Sequence, residues 1–252
     1  MGKKQKRRLP RARVAAEQTL GVQEASAVAR LPSGGFLVVD DEKGIFRCTL
    51  AASTDDEAEP ELLDAARGLS DLEGICLDDR GESAWVLAER DGAVWKHAVQ
   101  ADRLGPGSRV GTLPRLNERK NHGWEGIAYA PAGVLASDAT LVAVHQTKPR
   151  RVGLFDPATL RPRQLFGLPK KLKKILGELN DVTVSREGFI VVVSGRAGVV
   201  AELTTEGDEL GIGRVARIDH DDDDVPEGIT FDGEGRLWVV TDGGGWLREI
   251  VL

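Results

Sequence analysis

The chain has 252 residues, 41% of them hydrophobic, with 30 glycines and 11 prolines. That turn density argues against long helices, and the length suits one large all-β domain without requiring a second. Formal net charge is −6, but seven Lys or Arg and no acid fall in residues 1–13, leaving 27 basic against 40 acidic residues beyond them, a balance that disfavours a nucleic-acid-binding body.

Residues 1–13 (MGKKQKRRLPRAR) are expected to be a solvated, disordered tail. A weak contact with nucleic acid or anionic lipid is the alternative. Residues 14–252 are then the single folded domain. The first thirty residues lack the apolar run of a secretory signal, and no segment approaches the roughly 18 apolar residues of a membrane helix. A soluble, cytoplasmic monomer is the expectation.

Behind the tail, RVAAEQTL (Arg13 to Leu20) reads as a strand with nothing of its own to pair with. A module then recurs: Glu-Ala-Ser-Ala-Val at Glu24, Glu-Gly-Ile at Glu73, Glu125 and Glu227, and Asn-Asp-Val at Asn180, at intervals of 49, 52, 55 and 47 residues. Each module holds a short apolar strand, a Gly-containing turn, a strongly apolar second strand, a polar turn and a third, alternating strand. The second strands are FLVV from Phe36, AWVL from Ala84, LVAV from Leu141, FIVVV from Phe189 and LWVV from Leu237. Such β-branched and aromatic runs, bounded by Gly, Asp and Ser, are too short for helices. Cys48 and Cys76 each stand in an apolar strand-like run, which predicts buried thiols rather than a disulfide.

A fourth strand follows in SRVGTLP from Ser108, RQLFGLP from Arg163 and GRVARID from Gly213, whereas the last module ends at LREIVL without one. Four-stranded units at this period predict an all-β β-propeller of five blades, with six as the alternative. The orphan N-terminal strand would complete the last blade, closing the ring and removing an exposed edge.

The phrases DLEGICLDDRGESAWVLAERDG, NHGWEGIAYAP, LVAVHQTKPRRVGLF, LNDVTV and VPEGITFDGEGRLWVVTDGGGWLREI resemble the SdiA-regulated family of bacterial β-propellers, from about Val22 to the end. Similar Glu-Gly-Ile phrases mark the esterase-like phytase, gluconolactonase and NHL-repeat propellers. The resemblance implies a propeller, an expectation of calcium binding, and no established activity. The resemblance implies an N-terminal membrane anchor in many members, in whose place a basic tail is expected here. The chain also has Asn180-Asp181 in place of Glu-Gly, and His145-Gln146 where an acid is expected.

In a propeller the start of each inner strand and the end of each second strand share one mouth of the central channel. Glu24, Glu73, Glu125 and Glu227 are expected to ring that mouth with Asn180, joined by Asp41, Glu89, Gln146 and Asp242. Such an oxygen-rich ring suits a hard cation such as Ca²⁺. The alternative is an architectural latch, in which each Glu accepts backbone N–H groups of the neighbouring blade.

Groups that do not repeat are candidates for ligand recognition. Trp124 stands at the channel entrance, and Lys148, Arg150 and Arg151, with Arg90 and Arg196, form a basic sector suited to a phosphate or carboxylate. His122 and His145 are candidate general bases. His97 is expected to be structural, and Asp221 to Asp224 and KKLKK (Lys170 to Lys174) to be solvated. There is no nucleophile elbow, P-loop or dinucleotide fingerprint, so no nucleotide or redox cofactor is expected. Two classes of function remain. One is a binding propeller that takes a cation, a small molecule or a protein partner on its mouth face. The other is a metal-dependent hydrolase of the phosphoesterase or lactone-cleaving sort.

Overall fold

The structure, a computed structural model, describes residues 9–50, 60–66, 69–117 and 123–252. Strand β1 (Arg13–Thr19) precedes five four-stranded antiparallel sheets. Blade 1 contains β2 (Ala25–Arg30), β3 (Phe36–Asp40), β4 (Gly44–Cys48) and the two-residue β5 (Glu61–Leu62). Blade 2 follows with β6 (Leu72–Leu77), β7 (Ser83–Ala88), β8 (Ala93–Gln100) and β9 (Arg103–Thr112). Blade 3 has β10 (Trp124–Ala130), β11 (Thr140–His145), β12 (Arg151–Phe155) and β13 (Pro162–Gly167). Blade 4 has β14 (Asp181–Val184), β15 (Ile190–Ser194), β16 (Val199–Glu206) and β17 (Glu209–Arg217).

The last blade is built from β18 (Val225–Phe231), β19 (Leu237–Asp242), β20 (Trp246–Val251) and, on its outer edge, β1. Arg13 pairs with Val251 and Thr19 with Trp246, so the first strand and the last close the ring as the unpaired N-terminal segment required. The five-blade reading holds and the six-blade alternative does not. Pro10 to Ala12, assigned by sequence to the tail, already run along β17: Ala12 N–H donates to Arg217 O at 2.7 Å and Arg217 N–H to Pro10 O at 2.8 Å.

The continuous apolar second strands follow from blade stacking. In β3, Leu37 and Val39 pack into the cluster between blades 1 and 2, while Phe36 and Val38 face blade 5. In β15, Ile190 and Val192 face blade 3, and Val191 and Val193 face blade 5. Each such strand is buried on both faces, so period-2 alternation disappears into an unbroken hydrophobic run. Five hydrophobic clusters result, one at each blade interface.

The tryptophans reinforce these seams. Trp85 of blade 2 stacks on Tyr129 of blade 3 at 5.2 Å, and Trp238 of blade 5 meets Phe36 of blade 1 edge-on at 5.6 Å. Cys48 and Cys76 are buried and free, as expected. His97 is fully buried, with Nδ1 bonded to Gly105 O at 2.9 Å, which gives it the structural role expected of it. In the acidic loop, Asp224 departs from the solvated reading. It is 14% exposed and its carboxylate lies 2.7 Å from Arg248.

Candidate functional site at the acidic channel mouth

The inner strands begin with a repeated irregularity. Register shifts fall between Ala25 and Ala27, Leu72 and Gly74, Trp124 and Gly126, and Pro226 and Gly228. The residues skipped are Ser26, Glu73, Glu125 and Glu227. In blade 4, Asn180 N–H donates to Val193 O at 3.0 Å although Asp181 is the register partner of Val193, so two residues again oppose one. A bulged residue leaves the ladder and its side chain is re-aimed. All five of these side chains line one cavity of about 320 Å³ at the channel mouth.

This register corrects blade 1. Ser26, not Glu24, is the equivalent of Glu73, 47 residues before it, the same interval that separates Asn180 from Glu227. Glu24 stands two residues upstream, exposed, in an isolated bridge to Asp242. It still borders the cavity, and its carboxylate lies within 4.8 Å of those of Asp40 and Asp41. Asp41, Glu89, Gln146 and Asp242 also reach the cavity, together with Glu42. Eight of the eleven lining residues carry a carboxylate, and none of the described residues that line it is Lys, Arg, His or Cys.

Crowding these carboxyls into a half-dehydrated mouth sets their protonation. Glu73 is pushed up to about 8, chiefly by burial and then by the charges of Asp41, Glu227 and Glu89, while a hydrogen bond with Ser26 opposes the rise. Glu227 rises to about 7 through burial and the charges of Asp242, Glu178 and Asp41, with Arg196 pulling the other way. Glu125 is held well above the usual carboxylate range by burial, by Glu73 and Glu89, and by a hydrogen bond shared with Glu89. Burial also raises Asp41 and Asp242.

Glu89 and Asn180 hold backbone N–H groups. Glu89 Oε1 accepts Gly123 N–H from blade 3 at 3.0 Å, and Asn180 Oδ1 accepts Gly195 N–H of its own blade at 2.7 Å. Asn180 Nδ2 donates to Glu227 Oε1 at 3.4 Å. Glu125 differs: the residue is 6% exposed and its buried Oε1 has no hydrogen-bond partner.

None of the non-repeated candidates in the described residues lines this cavity. Trp124 is 2% exposed, donates from Nε1 to Pro114 O at 2.9 Å, and packs edge-on against Phe155 and His145. His145 is equally buried, with Nδ1 bonded to Thr147 O at 3.0 Å and Nε2 3.5 Å from Asn117 Nδ2. Arg90 is paired with Asp71 at 2.7 Å, Arg150 donates to the carbonyls of Leu176 and Gly177, and Arg151 to that of Arg150. Arg196 approaches Glu178 at 3.9 Å, and Lys148 is exposed, its carbonyl accepting from Asn117. His122 lies outside the described residues.

Fold and mouth together define a five-bladed β-propeller with a carboxylate-lined channel entrance. The SdiA-regulated family model matches residues 61–243, and the chain belongs to that family. No curated protein matches it in sequence. Among solved structures it is similar to glutaminyl cyclase of Myxococcus xanthus, with 15% identity over 97% of this chain and 98% of that one, at a TM-score of 0.62. It is also similar to the calcium structure of the Trichoderma reesei family AA12 carbohydrate-active enzyme, with 11% identity over 96% and 97% of the two chains and a TM-score of 0.57. A third likeness is to the PQQ-bound aldose sugar dehydrogenase of Streptomyces coelicolor, with 15% identity over 95% and 97% and a TM-score of 0.54. At these identities the likeness shows the fold alone. Among the described residues no helix is long and apolar enough to cross a membrane.

Proposed function

We propose that this propeller is a binding protein whose channel mouth takes a hard divalent cation, calcium fitting best. The observation that carries the reading is Glu125 Oε1, a buried carboxylate oxygen without a partner in a cavity lined by oxygen donors. A buried carboxyl oxygen that no N–H or hydroxyl donor reaches is costly, and a cation offsets that cost for several groups at once. The donor set of carboxylates with Ser26, Gln146 and Asn180 matches the six to eight oxygens Ca²⁺ takes, and it lacks the imidazole or thiolate that zinc prefers. Isothermal titration of Ca²⁺ into chelator-treated protein tests it. Saturable binding lost in Glu125→Gln supports the reading, and absence of binding to the unaltered protein overturns it.

A metal-dependent hydrolase at the same mouth is the second reading. It is favoured by Glu227 and Glu73, whose carboxyls titrate at about 7 and about 8, the range useful for proton transfer near neutrality. A screen of phosphate esters and lactones with and without Ca²⁺ tests it, activity being required to vanish in Glu227→Gln. A small organic or protein ligand would then reach the cation from the mouth face.

A further inference from the structure

Below the ring of Ser26, Glu73, Glu125, Asn180 and Glu227 the next residues are Ala27, Gly74, Gly126, Asp181 and Gly228. The small ones are required by close approach. A Cβ on Gly228 would fall 2.7 Å from Ala27 Cα, one on Gly74 3.0 Å from Glu125 O, and one on Gly126 2.5 Å from Asp181 Cα. Blade 4 alone puts a functional side chain in this layer. Asp181 is 1% exposed, and its Oδ2 accepts Ile229 N–H of blade 5 at 2.8 Å. Its Oδ1 lies toward Gly126 of blade 3. Oδ1 closes no hydrogen bond of good geometry, and the amides of Ile127 and Val182 that face the carboxyl, with Ile229 N–H, only partly oppose the burial that holds it well above the usual carboxylate range.

The carboxylate therefore sits where the inner strands β10, β14 and β18 converge. Directly beneath it a second cavity of about 490 Å³ opens at the other end of the channel, lined by Ile127, Val182 and Ile229, the residues that follow this layer. Asp181 lines neither cavity and stands between them. Glu73 of the mouth is close enough to act on it electrostatically.

We propose that Asp181 is the floor of the cation site: it closes the channel beneath the acidic mouth and supports the ion-binding ring from below, making the mouth a blind pocket with one entrance. The proposal rests on the cation reading above. An ion held this way is shielded from water entering through the lower cavity, a role that an interblade latch does not have.

The test uses Tb³⁺ as a luminescent substitute for Ca²⁺, with affinity from titration and coordinated water counted from lifetimes in H₂O and D₂O. Asp181→Gly restores the residue found in blades 2, 3 and 5, and Asp181→Asn keeps the shape and removes the ionisable oxygen. The expected result is affinity about 10- to 100-fold weaker in both variants, as for removal of a supporting group at a metal site, with additional bound water in Asp181→Gly only. Unaltered affinity and water count in both variants, whatever the change in melting temperature, would make Asp181 a latch and overturn the proposal while leaving the cation site standing. No Tb³⁺ binding to the unaltered protein overturns the cation reading and the floor with it.

Discussion

Arg248 Nη2 lies 2.7 Å from Asp224 Oδ2 in a pair only 12% and 14% exposed, and the same guanidinium reaches Glu17 Oε2 of the closing strand at 3.0 Å. One side chain thus ties the last strand, the N-terminal strand and the loop entering blade 5. Arg248→Ala leaves the Asp224 carboxylate nearly buried and uncompensated, and is expected to cost about 3 kcal/mol in urea unfolding. Arg11, whose pair with Asp219 is 77% and 64% exposed, serves as the control; Arg11→Ala should change stability by less than about 1 kcal/mol.

Stability should depend on pH through the mouth. Glu73 and Glu227 titrate at about 8 and about 7 in the folded chain, above the ordinary 4.5, so the folded state holds protons that the unfolded state has released. Their contribution is fully present below about pH 4.5 and is lost as pH rises through about 7 to 8, with a slope of at most about 1.4 kcal/mol per pH unit for each group. Melting temperatures of chelator-treated protein should fall between about pH 5 and 8 and level off above it, and Glu73→Gln should flatten that fall. Calcium at millimolar excess should reverse it.

Close approach of the inner strands makes Gly228 intolerant of any side chain. Gly228→Ala forces a Cβ against the Ala27 backbone and is expected to destabilise by about 1–3 kcal/mol by denaturant unfolding. Gly233→Ala, where an added Cβ meets nothing within 4 Å, should be nearly silent.

Asp232 organises the hairpin turn of blade 5. Its carboxylate accepts from Trp238 Nε1 at 3.0 Å, Arg236 Nε at 2.7 Å and the backbone N–H groups of Glu234 and Arg236 at 2.9 Å. Asp232→Ala strands the buried indole N–H and should cost about 1–3 kcal/mol, with a shift in tryptophan emission. The loss should be larger at pH 7 than at pH 3, because burial of this carboxyl is outweighed by its hydrogen bonds and its titration lies below the usual range.

Much of this molecule was legible in the chain. Glu73, Glu125 and Glu227 were readable as one ring because each precedes Gly-Ile at a matching place in the repeat. Blade 1 was read two residues out of step because Glu24 supplies the expected letter while Ser26 holds the position; the 47-residue spacing and the alignment of Val28 with the isoleucines were the signal. Trp124 and the arginines were placed near the mouth by loop position, yet Trp124 is packed inside a blade interface and Arg90 and Arg150 are engaged by neighbouring loops.

The sequence by itself determined the four-stranded blade, its strand order and the closing role of the N-terminal strand, because each depends on local periodicity and on turns written within a few residues, while the pairing of the sheets settled five blades over six. Tertiary structure decided which side chains leave the ladder, how far the mouth is dehydrated, and where Asp181 sits. Those properties arise only when strands some fifty residues apart are brought edge to edge around one axis, where burial and like charge act together on groups that are distant in the chain.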